Sequence, residues 1–255
     1  MPMTTELTDM PRKDLHIFYI LDTSGSMEGT KISALNHAMD ETIEVLRDLS
    51  KRNGDARLKI AVLSFNTGAE WITKNGPEYL EEHFEYEYLE AGGLTDMGAA
   101  LKELNSKLSQ HEFLGSMMGA LMPVMIFMTD GYATDNYEEA LEEIRKNRWF
   151  ARGAKIGFAL GEDADVKMIS SIVGNSEAVI RVTDNELFRR LMRFVSVTSS
   201  VARSRSATAD EAPNGAEILR LTDGIPDEAK VKLDKDEYNP EPAVEEDDDW
   251  GDDKW

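Results

Sequence analysis

Three short polar loops contain the residues of this sequence whose types and spacing suit metal binding. The first loop carries Asp22, Ser24 and Ser26 in a D-x-S-x-S pattern. The second carries Thr95 after two glycines, and the third carries Asp130 between a threonine and a glycine. Carboxylate and hydroxyl oxygens, without nitrogen or sulfur ligands, suit the hard cations Mg²⁺, Ca²⁺ and Mn²⁺. The three loops together predict a divalent metal site.

Taken one at a time, the same residues have an ordinary structural explanation. Serine and threonine often cap the N-terminus of a helix, and aspartate often begins a turn. Three such loops, each at a predicted strand end or helix start, make the metal interpretation the stronger one. We do not include the two neighbouring acids among the metal ligands. Asp96 is expected to interact favourably with the dipole of the helix that follows it, and Asp135 is expected to cap a helix.

The hydrophobic pattern around these loops alternates between strands and helices. Continuous apolar runs predict strands that are buried on both faces, and apolar spacings of three and four residues predict amphipathic helices. The expected strands are residues 16–21, 58–65, 69–73, 124–128, 155–160 and 178–182. The expected helices are residues 32–49, 101–108, 137–148, 166–173 and 185–203.

Repeated β–α alternation predicts an α/β fold with a Rossmann-like, doubly wound sheet. We expect six strands, mainly parallel, with residues 69–73 as one short antiparallel edge strand after a turn at residues 66–68. Such sheets bind ligands at the carboxyl ends of their strands, near the topological switch point. Asp22 and Asp130 each follow a predicted strand, so both loops belong to that edge.

The 255 residues carry their charge unevenly. Lys and Arg number 28 and Asp and Glu number 49, which gives a formal net charge of −21. Residues 207–255 hold 17 acidic and 5 basic residues, so this segment alone has a net charge of −12. High charge with only short apolar islands predicts disorder. We therefore expect an N-terminal extension at 1–12, a folded domain at 13–205 and a disordered acidic tail at 206–255.

Composition also excludes several classes of function. With no cysteine in the chain, there is no disulfide framework, thiolate catalysis or cysteine-based metal site. The acidic balance argues against nucleic acid as a partner, because phosphate binding requires a basic surface. No secretory signal is visible, and the longest apolar run, residues 117–128, is too short to span a bilayer. We expect a cytoplasmic protein without a membrane partner.

The motifs resemble those of von Willebrand factor type A (VWA) domains with a complete metal-ion-dependent adhesion site (MIDAS). The matching motifs are Asp22-Thr-Ser-Gly-Ser-Met27, the Thr95 loop and Met128-Thr-Asp-Gly131. The resemblance covers about residues 14–204. Three further segments resemble the corresponding sequences of bacterial tellurium-resistance-type members of this family. These segments are residues 91–101, 127–135 and 194–200.

The resemblance implies a role for each residue of the site. Ser24, Ser26 and Thr95 would bind the metal directly through their hydroxyls, whereas Asp22 and Asp130 would bind it directly or through water. Mg²⁺ is the expected ion, with Ca²⁺ or Mn²⁺ as alternatives. An Asp or Glu of a partner protein would complete the coordination. The resemblance thus implies a non-catalytic scaffold or adaptor in a cytoplasmic stress-response system, associated with a Ser/Thr kinase and a PP2C-type phosphatase.

Two other functions stay open. An aspartate-nucleophile phosphohydrolase also starts with an Asp after a buried strand and binds Mg²⁺. That chemistry needs a second carboxylate two residues later, where this chain has Ser24. The other alternative is a self-assembling or autoinhibited scaffold, in which the acidic tail supplies the ligand of the metal. The end of that tail reads Glu245-Glu-Asp-Asp-Asp-Trp-Gly-Asp-Asp-Lys-Trp255.

Overall fold

The computed structural model describes residues 12–82, 84–115, 119–206 and 211–240. The strands are β1 (Lys13–Asp22), β2 (Ala56–Asn66), β3 (Gly68–Trp71), β4 (Glu78–Tyr79), β5 (Val124–Thr129), β6 (Ala154–Leu160) and β7 (Val179–Val182). The helices are α1 (Thr30–Arg52), α2 (Met97–Lys107), α3 (Tyr137–Arg145), α4 (Arg148–Arg152), α5 (Val166–Val173), α6 (Asn185–Ser204) and α7 (Gly215–Leu221).

The sheet has the order β3-β2-β1-β5-β6-β7. Strands β1, β2, β5, β6 and β7 run parallel, and β3 pairs antiparallel with β2 at the edge. The doubly wound, mainly parallel α/β sheet with an antiparallel edge strand is therefore confirmed. A seventh strand, the two-residue β4, also pairs antiparallel with β2. The sequence does not predict β4, because two residues are too few to show an alternating pattern.

Strand β1 is the centre of the sheet and is buried on both faces. Every residue of β1 after Lys13 is buried. Ile17 and Tyr19 face the core under α1 and α6, whereas Phe18 faces the core under α2 and α5. Because helices cover both faces, the strand needs apolar residues at almost every position, which explains its continuous hydrophobic run.

The predicted helix at residues 137–148 is two helices. Helix α3 ends at Arg145, and α4 begins after Asn147, whose side chain accepts a hydrogen bond from the Trp149 N–H at 3.0 Å. The amide of Asn147 also donates to the carbonyl of Leu108 at 3.0 Å, so a contact with a distant segment fixes the break. Among the helices that the structure describes, none is long and apolar enough to cross a membrane.

Part of the predicted disordered tail packs against the domain. Helix α7 starts with a capping box between Asn214 and Glu217, and Ile218 is completely buried. Lys230 forms an antiparallel bridge to Ile180, so residues after α7 cover the exposed edge of β7. The short apolar segments of this region are enough to hold it on the domain, because they need only cover this edge strand. Residues 211–240 are thus packed against the domain, while 1–11, 207–210 and 241–255 lie outside the described residues.

One buried ionisable side chain makes the fold sensitive to pH. His16 lies on β1 beside Lys59 of β2, and within the described residues neither of its ring nitrogens has a hydrogen-bond partner. Burial, and to a smaller extent the charge of Lys59, lower the pKa of His16 to about 4, and the charge of Asp14 opposes them. The imidazole is therefore neutral in the folded protein at pH values where the unfolded chain binds a proton.

We expect the His16→Leu variant to be less acid-sensitive than the wild type. The unfolded histidine titrates near pH 6.5 and the folded one near pH 4, so stability is lost as the pH falls between these values. From pH 7 to pH 5 this histidine should remove about 2 kcal/mol from the free energy of unfolding. Urea unfolding at both pH values measures the difference. The control His37→Leu removes an exposed imidazole and should keep most of the wild-type loss.

Candidate metal centre

The sheet brings the first and third polar loops to the same edge. Asp22 is the last residue of β1, and Asp130 directly follows Thr129, the last residue of β5. Strands β1 and β5 are adjacent and parallel, with Leu21 paired to Met128. Their carboxyl ends therefore meet, and β1 is the point at which the strand order changes direction.

Asp22 ties these two loops together through its carboxylate. One oxygen accepts a hydrogen bond from the Ser24 N–H at 2.7 Å, and the other accepts one from the Thr129 hydroxyl. Asp22 is completely buried. Both of its oxygens are thus already engaged by the protein, which fixes the turn of the first loop relative to β5.

A chain of hydrogen bonds connects the oxygens of three predicted ligands. The hydroxyls of Ser24 and Ser26 lie 3.0 Å apart, and the Ser26 hydroxyl donates to an oxygen of Asp130 at 2.6 Å. Ser24 and the Asp130 side chain are buried, whereas Ser26 is exposed. The cluster therefore opens to solvent at Ser26.

Thr95 reaches the same cluster from the second loop. A Cβ placed on Gly131 would lie 3.6 Å from both the Ser26 hydroxyl and the Thr95 hydroxyl, so the two hydroxyls flank this glycine. The Gly25 N–H donates to the carbonyl of Gly93 at 3.1 Å, which joins the first and second loops. The structure therefore brings all five predicted residues together.

The two neighbouring acids hold the loops in place. Asp96 accepts a hydrogen bond from the Gly68 N–H and another from the Thr134 hydroxyl, both at 2.9 Å. Asp135 accepts hydrogen bonds from the N–H groups of Gly98 and Ala99, both at 2.9 Å, and so caps α2. The sequence suggested a cap for the helix that begins at residue 137. The cap is on α2 because the third loop folds over the start of that helix, which sequence spacing alone does not reveal.

Lys31 is part of the site, although none of the three sequence motifs contains it. Its ammonium group donates to the second oxygen of Asp130. The ammonium also lies near Gly161, just after β6, at 3.8 Å from a Cβ placed there. A positive charge in the first turn of a helix is unfavourable for the helix dipole, and Lys31 stands in the first turn of α1. A lysine at this unfavourable position in the sequence is the feature that could have indicated an acidic partner for it.

The electrostatics of the cluster favour a cation. Burial raises the pKa of Asp22, hydrogen bonds from Ser24 and Thr129 lower it, and the charge of Asp130 raises it again. Two carboxylates in one buried cluster repel each other, and a divalent cation between them would remove that repulsion. Lys31 supplies one positive charge at this place.

The side chains that could bind a metal at this edge offer hard oxygen ligands. The Ser24–Ser26 separation of 3.0 Å and the Ser26–Asp130 separation of 2.6 Å are those of hydrogen bonds within the cluster. In the described part of the chain, no three His, Cys, Asp or Glu side chains form a metal-binding group. A metal at this edge would therefore depend on the hydroxyls.

Comparison with known structures gives the same fold. The chain is similar to a von Willebrand factor type A protein from Catenulispora acidiphila, with a TM-score of 0.50 and 20% identity over 71% of this chain and 42% of that chain. It is also similar to the PilB minor pilin from Streptococcus sanguinis, with a TM-score of 0.54 and 14% identity over 74% and 61% of the two chains.

A third similar structure is proximal thread matrix protein 1 from the mussel byssus, solved with a zinc-occupied MIDAS motif. Its TM-score is 0.51, with 17% identity over 71% of this chain and 47% of that chain. The match covers less than two thirds of each of the three relatives. At these identities the similarity shows a common fold.

The family follows from the sequence match together with this fold. A model of the von Willebrand factor type A domain matches residues 16–193, which is well over half of the chain. The match includes most of β1, all of β5 and the three loops that form the oxygen cluster. This chain therefore belongs to the von Willebrand factor type A domain family.

Proposed function

We propose that Asp22, Ser24, Ser26, Thr95 and Asp130 form a MIDAS that binds Mg²⁺ and, through it, an acidic side chain of a partner protein. The observation that carries the proposal is the convergence of these five residues from three separate loops. The metal, when bound, supplies an electrophilic position for a carboxylate. The chain would act as an interaction module and not as an enzyme.

The surroundings of the five residues indicate a different role for the hydroxyls and for the carboxylates. Ser24, Ser26 and Thr95 offer neutral oxygens, which leave the charge of a cation largely unquenched. Asp22 is held behind the serines by its own hydrogen bonds, so it balances charge and orients the first loop. Ser26 is exposed, and the partner carboxylate would enter on this side.

Two exposed apolar side chains stand close in sequence to the proposed metal ligands. Leu94, next to Thr95, is 53% exposed, and Tyr132, two residues after Asp130, is 65% exposed. We call these two residues the rim pair. Exposed apolar residues beside a polar centre are typical of an interaction surface. The preferred ligand would therefore carry an acidic residue next to an apolar or aromatic one.

The cellular setting is a proposal from motif resemblance. The segments 91–101, 127–135 and 194–200 support a tellurium-resistance-type protein, which would work in the bacterial cytoplasm as a scaffold or adaptor of a stress response. Its partners would include a Ser/Thr kinase and a PP2C-type phosphatase. The zinc-occupied MIDAS of the mussel relative supports metal binding by this fold. Hard oxygen ligands support Mg²⁺ for this chain, with Ca²⁺ or Mn²⁺ as substitutes.

Loss of the two serine hydroxyls should abolish metal-dependent binding. We expect Ser24→Ala/Ser26→Ala to lower the Mg²⁺ affinity at least about tenfold, because two of three neutral ligands disappear. Isothermal titration calorimetry measures the affinity, and Ser106→Ala, which removes an exposed hydroxyl on α2, is the control. Partners captured from a lysate in Mg²⁺ should be lost with the variant and with EDTA. Equal retention by wild type, variant and EDTA-treated protein would remove the metal from the mechanism.

The lysine of the site should compete with the metal. The Lys31 ammonium contacts Asp130, so a divalent cation must share or displace it. We expect Lys31→Met to raise the Mg²⁺ affinity about tenfold, an estimate reduced for screening because the lysine side chain is 38% exposed. Lys51→Met removes the same charge at the other end of α1 and should change nothing. An unchanged Mg²⁺ affinity in Lys31→Met would show that the lysine does not compete with the metal.

The phosphohydrolase alternative has a specific structural obstacle. Its nucleophile would be Asp22, but this carboxylate is completely buried and both of its oxygens accept hydrogen bonds. We expect no Mg²⁺-dependent turnover of p-nitrophenyl phosphate above that of the Asp22→Asn variant. Steady-state absorbance assays check this. Turnover by the wild type that disappears in Asp22→Asn would support the enzyme instead.

A further inference from the structure

A pocket lies at the opposite edge of the sheet from the oxygen cluster. It has a volume of 290 Å³ and is lined by Lys155, at the start of β6, and by Arg203, in the last turn of α6. Strands β5 and β6 run parallel, and Asp130 follows the carboxyl end of β5, whereas Lys155 stands at the amino end of β6. The pocket is therefore separate from the proposed metal position.

Positive charge is concentrated in this pocket. Its lining includes Arg152, Lys155 and Arg203, and none of the described residues that line it is acidic. The chain as a whole has 49 acidic residues against 28 lysines and arginines. In so acidic a chain, a pocket lined by bases and by no described acid indicates a site that attracts an anion.

Arg203 places a buried charge in this lining. The residue is 2% exposed, and its two terminal nitrogens donate to the carbonyls of Pro213 at 3.0 Å and Arg152 at 3.2 Å. Burial lowers the pKa of Arg203 to about 10, and no carboxylate of the described chain opposes this effect. The other N–H groups of the guanidinium are left for a further acceptor, and an anion there would stabilise the buried charge.

The carbonyl groups beside the pocket are already engaged. The Lys155 ammonium donates to the carbonyl of Phe150 at 2.7 Å and to that of Gly153 at 3.5 Å. Arg203 donates to the carbonyl of Arg152, the residue before Gly153. Free carbonyls at the end of α4 would repel an anion, but these two side chains bind them and add their positive charges. Because the two side chains bind consecutive carbonyls, their cationic groups also lie close together.

Two asparagines of the lining have donors left for a ligand. The side-chain oxygen of Asn175 accepts a hydrogen bond from the Glu177 N–H at 2.9 Å, and that of Asn214 accepts one from the Glu217 N–H at 3.1 Å. Because each amide oxygen is used, the amide NH₂ group of each side chain is what remains. A ligand of this pocket must therefore be negatively charged and rich in hydrogen-bond acceptors.

We propose that this pocket binds a phosphate group, as inorganic phosphate or as a small phosphomonoester. A phosphate dianion offers acceptors on every side, and the planar guanidinium of Arg203 can hold two of its oxygens at once. The volume of 290 Å³ is small for a ligand site, which suits a small phosphomonoester and not a nucleoside triphosphate. The phosphate site goes beyond the proposed function, because it uses neither the metal nor its ligands.

Calorimetric titration of the metal-free full chain with inorganic phosphate tests the site. We expect saturable binding of one phosphate per chain, and no binding of chloride at the same ionic strength. Glycerol 3-phosphate is the second probe, and whichever of the two binds more tightly identifies the source of the phosphate group. The absence of saturable binding for both probes overturns the proposal.

Removal of the buried guanidinium should weaken phosphate binding. We expect Arg203→Gln to lower the phosphate affinity at least about tenfold, because both the charge and the planar fork are lost. Arg190→Gln removes an exposed arginine of the same helix and should bind phosphate as the wild type does. Unchanged affinity in Arg203→Gln, or equal weakening in both variants, overturns the proposal.

A second variant keeps Arg203 in place, since this arginine also holds two carbonyls and its loss could disturb folding. Ala212 lines the pocket and is partly exposed, so Ala212→Glu should repel phosphate and lower its affinity at least about tenfold. Ser106→Glu adds the same charge at an exposed position on α2 and should leave the affinity unchanged. Phosphate binding by Ala212→Glu at the wild-type affinity overturns the assignment to this pocket.

The metal-site variant separates this proposal from the proposed function. Ser24→Ala/Ser26→Ala should lose Mg²⁺ binding and keep the wild-type phosphate affinity, because the two sites lie at opposite edges of the sheet. Loss of phosphate binding in this variant would place the phosphate at the oxygen cluster and overturn the proposal. Loss of Mg²⁺ binding alone leaves both proposals in place, and a wild type that binds phosphate but no Mg²⁺ overturns only the proposed function.

Discussion

The buried carboxylate of Asp22 is the interaction on which the arrangement of the site depends. It ends β1, and its two oxygens bind the backbone of the first loop and the side chain of Thr129 on β5. Two adjacent parallel strands are thus joined at the edge where parallel sheets bind ligands. This contact fixes the first loop relative to β5, and the Ser26 hydroxyl then contacts Asp130 directly. The central location of β1, buried on both faces, keeps water away from the carboxylate and strengthens these hydrogen bonds.

The second and third loops are coupled to each other as firmly as the first loop is to β5. The Thr95 N–H donates to the Thr134 hydroxyl, and the Thr134 N–H donates to the Thr95 carbonyl. Asp135 caps α2 from the third loop. These contacts join the third loop, which holds Asp130, to Thr95 and to the start of α2.

The sequence predicted what depends on local pattern. Apolar runs identify β1 and β5, and the D-x-S-x-S motif with the Thr95 and Asp130 loops gives the five clustered residues. What it missed depends on long-range contact. Asp135 caps α2 and not α3 because the third loop crosses over, and Lys31 meets Asp130 across 99 positions of sequence. Helix α7 was missed because its few apolar residues become significant only against the edge of β7.

The packing of residues 211–240 also affects how the sheet ends. Strand β7 is the last strand of the sheet, and Lys230 forms a bridge to Ile180 there. An uncovered edge strand offers its unpaired backbone groups to a strand of another chain. Helix α7 and the residues after it thereby protect β7 from edge-to-edge aggregation.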